Sequence, residues 1–175
     1  SLDIPADISS AAFFLVASSI AEGSDLTLEH VGMNPTRAGV ITILTLMGAD
    51  IEVFNEREVG GESVADLRVR SAPLTGIEIP EDLVPLAIDE FPVLFIAAAC
   101  ASGKTVLSGA EELRVKESDR IASMAEGLTR LGIENDVRED GIAITGGQIT
   151  GGEVDTFHDH RIAMSFSVAA LRASG

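Results

Sequence analysis

The sequence has little cysteine and little positive charge. Its 175 residues include a single cysteine, Cys100, and only 12 Lys and Arg against 28 Asp and Glu, for a formal net charge of −16. One cysteine excludes a disulfide framework and a cysteine-based metal site. The clustered cations that a nucleic-acid surface needs are also missing, so we expect no nucleic-acid partner.

Long apolar runs are absent as well. No apolar stretch reaches the ~20 residues that span a bilayer, and the sequence shows neither a signal peptide nor a polybasic segment. We therefore expect no membrane partner and a cytoplasmic location. The chain opens without Met and stops just after an apolar helical segment. We accordingly expect it to be a fragment of a longer polypeptide.

What is present is a large apolar fraction and a preference for arginine. The sequence is 46% hydrophobic, with a mean hydropathy of +0.29, and its length suits one domain with a substantial core. Ten of the 12 basic residues are Arg. Because guanidinium groups bind carboxylates and phosphates in a bidentate manner, these arginines are suited to anionic ligands.

A repeated order of predicted elements runs along the chain. Residues 1–75 follow the pattern β-α-β-α-β-β, the order returns over residues 76–150, and a third copy begins in residues 151–175. The first copy comprises an extended segment at 1–6, a helix cap at 7–10 followed by a helix at 11–21, a strand at 25–31, a helix from Pro35 to Met47, and strands at 51–54 and 65–69, joined by a polar, Gly-containing stretch at 55–63. We therefore predict an α/β (α+β) fold of repeated units in a single, truncated domain, residues 1–175.

The first helix of each copy is apolar nearly all round, which is typical of a helix at the centre of a domain. The second copy comprises an extended segment at 76–80, a helix at 91–101, a strand at 104–108, a helix at 117–131, and strands at 133–137 and 141–145; the third begins with a helix at 162–172. Each unit exposes an apolar helix that only its neighbours can cover. We therefore expect the units to pack around central apolar helices.

Residues 113–121, LRVKESDRI, place five charged side chains at the predicted start of the helix at 117–131. Helical spacing puts Glu117 one turn before Ile121, at the head of the buried stripe, with Arg120 as its neighbour. Cations at a helix N-terminus are unfavourable unless an anion binds there, so the pattern favours a pocket for an anionic substrate. The alternative is a solvated cap in which Glu117 and Arg120 form an ion pair.

Polar residues stand at the start of each apolar helix. They are Asp7, Ser9 and Ser10 in the first copy, Asp89 and Glu90 in the second, and His158, Asp159, His160 and Arg161 in the third. Parallel packing of these helices would gather them at one end. That end would combine the carboxylates Asp89 and Glu117 with the cations Lys116, Arg120 and Arg161. Two carboxylates beside a cationic cluster can bind an anion and move protons.

Two of these segments carry a resemblance to a known family. Residues 113–121 and residues 159–166, DHRIAMSF, resemble the two best-marked segments of the 5-enolpyruvylshikimate-3-phosphate synthase family. Further matching segments are 7–15, DISSAAFFL; 33–37, MNPTR; and 88–92, IDEFP, the last two in the manner of the bacterial class II branch. The resemblance covers essentially the whole chain.

The resemblance implies the two-domain enolpyruvyl transferase fold, an inside-out α/β barrel with three β-α-β-α-β-β units per domain and the active site between the domains. It implies transfer of the enolpyruvyl group of phosphoenolpyruvate to the 5-hydroxyl of shikimate 3-phosphate, with release of phosphate and without a metal ion or an organic cofactor. The chain would be most of the C-terminal-half domain, would need the remainder of its polypeptide as a partner, and would be inactive alone.

Roles carried over position by position divide between catalysis and binding. Asp89 would face the shikimate 5-hydroxyl, and Glu117 would exchange protons with the phosphoenolpyruvate methylene carbon. The binding residues would be Arg120 and Arg161 at the phosphoenolpyruvate carboxylate, with Lys116 and His160 lining the site.

Alternatives remain open for the roles of single residues and for the function. Asp89 could be a plain helix cap, Arg161 a structural partner of Asp155 or Asp159, and His160 a hydrogen-bonded side chain beside a core helix. At the level of function, the fold also serves enolpyruvyl transfer to UDP-N-acetylglucosamine, whose enzyme has a reactive Cys in the other domain. A non-catalytic repeat module is the second rival. The segment RVKESDR favours the shikimate enzyme.

Overall fold

The structure is a computed structural model that describes residues 2–3 and 7–173. Its strands and α-helices, in chain order, are β1 (Leu2–Asp3), α1 (Ile8–Ile20), β2 (Asp25–Gly32), α2 (Gly39–Leu46), β3 (Asp50–Val59), β4 (Glu62–Arg70), α3 (Phe91–Cys100), β5 (Lys104–Leu107), α4 (Arg120–Arg130), β6 (Asn135–Arg138), β7 (Gly141–Thr145) and α5 (His160–Ala169). Short 3₁₀ helices lie at Glu81–Leu83, Pro85–Glu90, Glu111–Val115 and Ala170–Arg172.

The two sheets share one strand arrangement. The first has the order β1-β2-β4-β3, in which β1 is parallel to β2 and the other pairs are antiparallel. The second has the order β5-β7-β6, and Thr75 and Glu78 form isolated parallel bridges to Ser102 and Val106 at its β5 edge. The predicted α/β fold of repeated β-α-β-α-β-β units is confirmed. The unit boundaries 1–75, 76–150 and 151–175, and the single truncated domain, stay predictions.

Helix α3 occupies the centre of the domain. Every residue from Phe91 to Ala99 is buried. The helix packs against α1, α4 and α5 and against β7. A helix without a polar face is stable only when neighbours cover it on all sides. The position and burial of α3 therefore confirm the central helix predicted at 91–101, whose last residue differs by one.

The predicted start of the second helix at Pro35 is wrong, because α2 begins at Gly39. Asn34 Oδ1 accepts hydrogen bonds from both the backbone and the hydroxyl of Thr36, and Arg37 N bonds to Asn34 O at 2.9 Å. These bonds form a turn that competes with a helix. A Cβ at Gly39 would meet Leu86 at 2.9 Å, so the close approach of α2 to the segment before α3 requires glycine.

The polar stretch at 55–63 joins the two strands as predicted, but most of it is itself strand, since β3 and β4 continue to a tight turn at Gly60 and Gly61, both with positive φ. Strands β2 and β3 each contain a bulge where they pair with β4, and one buried carboxylate holds both bulges. Asp66 accepts hydrogen bonds from His30 N at 2.9 Å, Asn55 Nδ2 at 2.9 Å and Arg57 Nη1 at 3.2 Å. Sequence alternation alone does not reveal such bulges.

The third correction concerns Glu117, which lies before α4 and not at the head of its buried stripe. The helix begins at Arg120, and Asp119 is its N-cap, with Oδ1 accepting from Ala122 N at 3.0 Å. The Glu117 side chain is 68% exposed, whereas that of Arg120 is 2% exposed. Because Asp119 caps the N-terminus, the helix begins about one turn later than the apolar period indicated.

Smaller differences affect element ends. Within residues 76–80 only Glu78 forms a β-bridge, and this segment is not a strand. Helix α1 begins at Ile8, within its predicted cap, β6 begins at Asn135, and α5 begins at His160 and ends in a 3₁₀ turn. Of the predicted extended segment at 1–6, β1 covers Leu2–Asp3, and residues 1 and 4–6 lie outside the described residues. Across the described part of the chain, no helix combines the length and apolarity needed to cross a membrane.

Candidate active site

Three helix N-termini and one loop converge at one end of the domain. The starts of α1, α3 and α5 bring Ser9, Asp89 and Arg161 together, and the loop before α4 adds Lys116 and Glu117. A cavity of about 240 Å³ opens here, lined by Asp7, Ser9, Ser10, Phe13, Glu117, Arg120, Asp159, His160 and Arg161. All six residues that the sequence analysis assigned to a site therefore lie in or next to one cluster.

Asp89 is surrounded by cations from three elements. Its Oδ1 lies 3.4 Å from Lys116 Nζ and 3.7 Å from Arg120 Nη1, and its Oδ2 lies 3.4 Å from Arg37 Nη2. The backbone carbonyl of Asp89 accepts a hydrogen bond from Arg161 Nη1 at 3.4 Å. The side chain remains 27% exposed, so this carboxylate is open to a ligand while its position is fixed by the surrounding cations.

Arg120 is held by a buried carboxylate. Its Nε lies 2.9 Å from Asp159 Oδ2 and its Nη2 lies 3.3 Å from Asp159 Oδ1, so the contact is bidentate. The same Nη2 donates to Glu117 Oε2. The ion pair that was the alternative for Glu117 and Arg120 is therefore present, and both of its members line the cavity.

Asp159 joins this guanidinium to the start of α5. Its Oδ1 accepts from the backbone amides of Arg161 at 3.0 Å and Ile162 at 3.4 Å, and its Oδ2 accepts from Ser118 Oγ at 2.8 Å. Burial alone would raise the pKa of Asp159, but the hydrogen bonds from Arg120 and Ser118 and the charge of Arg120 outweigh it, so the pKa is lowered. Asp159 thus caps α5 and also orients Arg120.

Lys116 bridges two carboxylates. Its Nζ lies 2.9 Å from Glu112 Oε2 and 3.4 Å from Asp89 Oδ1. The hydrogen bond to Glu112 is the largest influence on the pKa of Lys116, and together with Asp89 it raises that pKa above its ordinary value although burial opposes the rise. Lys116 is therefore held in its charged form beside Asp89.

Two predicted binding residues lie on the first turn of α5. Arg161 turns toward the Asp89 carbonyl, and its contact with Asp159 is through the backbone amide and not through the guanidinium, which differs from the structural alternative considered for it. His160 is exposed and lines the cavity. Among the described residues, no group of three or more His, Cys, Asp or Glu side chains is placed to hold a metal ion.

Sequence reasoning gave no role to Arg37 and listed Glu90 only among the polar residues at the start of the second apolar helix. Arg37 Nη2 donates to Ser9 Oγ at 3.1 Å and lies beside Asp89, yet its segment carried only a family resemblance and no role. Glu90 is buried and 3% exposed. The position of Glu90 next to Asp89, at the start of an apolar helix, was the one available signal.

Comparison with known structures places the fold in the enolpyruvyl transferase class. The enolpyruvyl transferase NikO from Streptomyces tendae has a TM-score of 0.69 over 95% of this chain and 36% of that chain, at 19% identity, so the likeness is one of fold alone.

The sequence profile described as EPSP synthase (3-phosphoshikimate 1-carboxyvinyltransferase) matches residues 1–175, and the chain belongs to this family. Similar relatives named 3-phosphoshikimate 1-carboxyvinyltransferase come from Alkalilimnicola ehrlichii, 73% identical over 98% of this chain and 39% of the relative, and from Halorhodospira halophila, 71% identical over the same shares. A solved EPSP synthase from Acinetobacter baumannii is 61% identical with a TM-score of 0.95, covering 98% of this chain and 41% of that one. The chain thus spans about two fifths of the length of these relatives.

Proposed function

We propose that this chain is part of an enolpyruvyl transferase that moves the carboxyvinyl group of phosphoenolpyruvate to the 5-hydroxyl of shikimate 3-phosphate and releases phosphate. This reaction would belong to the shikimate pathway of aromatic amino-acid biosynthesis. The observation that carries the proposal is the environment of Asp89, whose carboxylate lies within 3.7 Å of Lys116, Arg120 and Arg37. Arg120 also lines the neighbouring cavity, together with Glu117.

Asp89 and Glu117 would divide the proton transfers. Asp89 takes the proton of the 5-hydroxyl while the hydroxyl oxygen forms a bond to C2 of phosphoenolpyruvate. Glu117 supplies a proton to the methylene carbon C3. In the second step the C2–O bond to phosphate breaks, C3 returns a proton to Glu117, and Asp89 gives its proton to the departing phosphate. The different surroundings of the two carboxylates, one among cations and one 68% exposed, suit such a division.

The cations would bind the charged groups of the substrates. Arg120 and Arg161 hold the phosphoenolpyruvate carboxylate, and Lys116 and His160 line the wall of the site. Because the bidentate contact with Asp159 fixes Arg120 before substrate arrives, little reorganisation is needed on binding. Fixed arginines also offset the repulsion between two polyanionic substrates. The proposed reaction requires neither a metal ion nor an organic cofactor.

The remainder of the polypeptide is the partner that this proposal requires. The chain corresponds to about two fifths of its relatives. We infer that residues 1–175 form a single, truncated domain of a two-domain enzyme and are inactive alone. The expected cytoplasmic location is part of the same proposal.

Phosphate release by the full-length chain tests the proposal. With phosphoenolpyruvate we expect release with shikimate 3-phosphate and none with UDP-N-acetylglucosamine. Asp89→Asn and Glu117→Gln should each lower kcat by about 10²- to 10⁴-fold, because each removes a proton-transfer group. Glu126→Gln, which changes an exposed carboxylate on α4 paired with Arg130, is the matched control and should leave kcat unchanged.

Three outcomes would contradict the proposal. Release with the sugar nucleotide would identify the other enolpyruvyl transferase, and release with neither acceptor would favour a non-catalytic module. Full activity of residues 1–175 alone would refute the requirement for the remainder of the chain.

A further inference from the structure

Arg114 belongs to the charged segment 113–121, yet it is not one of the described residues that line the cavity. Each nitrogen of its guanidinium group already has an acceptor inside the protein. Nη1 donates to Asp119 Oδ2 at 2.8 Å, Nε to the carbonyl of Glu139 at 2.7 Å, and Nη2 to the carbonyl of Arg138 at 2.6 Å. Arg114 is therefore committed to internal contacts and is not placed to bind an anionic substrate.

The turn between β6 and β7 is the surface on which this segment is docked. The carbonyls of three consecutive residues, 138–140, accept hydrogen bonds from it, two from Arg114 and one from the backbone of Ala110 at 2.7 Å. The Asp140 carboxylate adds a bond from Gly109 N at 3.0 Å. Because hydrogen bonds are directional, these four bonds define one position for the segment.

The same guanidinium group closes the loop that carries two of the site residues. Asp119 accepts from Arg114 with Oδ2 and from Ala122 N with Oδ1 at 3.0 Å, so the N-cap of α4 is bonded to the residue five positions before it. Lys116 and Glu117 lie between these two anchors. Because both ends of this short loop are held, few backbone conformations remain for the residues within it.

The contacts of Lys116 and Glu117 depend on the position of this loop. Lys116 Nζ lies 3.4 Å from Asp89 Oδ1, and Glu117 Oε2 accepts from Arg120 Nη2. Both partners are fixed independently of the loop, since Asp89 lies just before α3 and Arg120 is held by Asp159. A displacement of the loop would therefore carry both side chains away from partners that stay in place.

We propose that Arg114 is a positioning residue, which docks residues 109–119 on the turn between β6 and β7 and thereby places Lys116 and Glu117 in the site. This inference rests on the proposed function, in which Glu117 exchanges a proton with C3 of phosphoenolpyruvate and Lys116 lines the site beside Asp89. Arg114 acts from outside the cavity, without contact to substrate. Its replacement affects the step that needs Glu117, because proton transfer requires the carboxyl group within hydrogen-bond reach of the reacting atom.

The test measures phosphate release by the full-length chain carrying Arg114→Met. Methionine keeps an apolar stem and none of the three donor nitrogens. We expect kcat per folded molecule to fall about 10- to 100-fold, because Glu117 is displaced from the reacting carbon. KM for phosphoenolpyruvate should change less than about twofold, since Arg120 and Asp159 keep their contact. Thermal unfolding of the same sample gives the folded fraction. A purely structural role would lower that fraction and leave kcat per folded molecule alone.

Two further variants separate docking from charge. Arg114→Lys keeps the positive charge but has a single nitrogen, which cannot replace the planar group with its three acceptors, so it should still lower kcat at least about fivefold. Arg138→Gln is the matched control. It changes an exposed arginine of the same turn, paired with Asp136, and keeps the backbone carbonyl that accepts from Arg114. It should leave kcat and both KM values unchanged.

The outcomes separate this inference from the proposed function. Wild-type kcat per folded molecule in Arg114→Met or Arg114→Lys, or an equal loss in Arg138→Gln, would overturn the inference while wild-type activity upholds the function. Should wild type use UDP-N-acetylglucosamine instead, the substrate assignment fails, and the same variants assayed with that acceptor still decide the role of Arg114.

A crystal structure of Arg114→Met gives a readout that needs no acceptor substrate. The distance from Lys116 Nζ to Asp89 Oδ1, 3.4 Å in wild type, should exceed about 4 Å, the limit of an ion pair. An unchanged distance would count against the inference.

Discussion

Arg120 and Asp159 form an ion pair from which water is excluded, and it joins the N-termini of α4 and α5. The two side chains are 2% and 0% exposed, and two guanidinium nitrogens lie 2.9 and 3.3 Å from the two carboxylate oxygens. Burial of both charges is costly, so the pair is stable only while it is complete. The candidate site is built on this pair, because it fixes one of the proposed substrate-binding arginines.

We expect Asp159→Ala to lower the free energy of unfolding by about 3–5 kcal/mol, because it leaves a buried guanidinium without its partner. Asp50→Ala is the matched control. It breaks the ion pair with Arg70, whose side chains are 45% and 46% exposed, and should cost at most about 1 kcal/mol. Urea unfolding of the full-length variants measures both values. Equal losses would show that the burial of the Arg120 pair adds nothing to its strength.

Acid should weaken the fold through Asp159. Its pKa in the folded chain is lowered below the unfolded value of about 3.9, so the unfolded chain takes up the proton more readily. The stability that it contributes is therefore complete above about pH 4 and is lost as the pH falls through the folded-state pKa. The gap in unfolding free energy between wild type and Asp159→Asn should narrow as the pH is lowered from about 5 to 3. A gap that is constant over this range would contradict the shift.

Asp66 should be a structural residue without a role in the chemistry. It holds two bulged residues with positive φ, His30 at 61° and Asn55 at 52°. We expect Asp66→Ala to lower the free energy of unfolding by about 2–3 kcal/mol, because three donors lose a buried acceptor. Kinetic constants per folded molecule should not change. Asp136→Ala, in an exposed pair with Arg138, provides the comparison and should have little effect on stability.

Gly127 sets the distance between α4 and α5. A Cβ at this position would overlap the ring of Phe166. Alanine favours helix by about 1 kcal/mol, but we expect the displaced ring to cost more, for a net loss of about 1–3 kcal/mol in Gly127→Ala. Thermal unfolding of the single variant and of Gly127→Ala combined with Phe166→Leu checks this. If the smaller side chain at 166 restores no stability, the overlap is not the cause.

The helices and strands were predicted correctly where a local pattern decides them. They were predicted wrongly where a side chain competes with that pattern. The continuous apolar run of α3 located that helix to within a residue, because the pattern lies in the local sequence and depends on no distant residue. By contrast, Asn34 formed a turn where Pro35 suggested a helix start, and Asp119 capped α4 after Glu117. Each error extended a helix across a residue that prefers to bond the backbone itself.

The cluster was predictable in its location and not in its contacts. Polar residues before apolar helices indicated one common end, and the structure brings Asp89, Lys116 and Arg120 together there. Their roles in catalysis and binding stay predictions. Arg37 was given no role because its contribution depends on a contact between elements far apart in sequence, which periodicity does not encode.

The all-round burial of α3 has a consequence for biosynthesis. Helix α5, one of its covering neighbours, begins roughly 60 residues after α3 ends, which takes a ribosome ~3–12 s at typical elongation rates. Throughout that interval the nascent chain carries an apolar helix with one side open to other polypeptides. The yield of folded protein should therefore depend on elongation rate and on chaperones at the ribosome exit, even in variants whose final stability is unchanged.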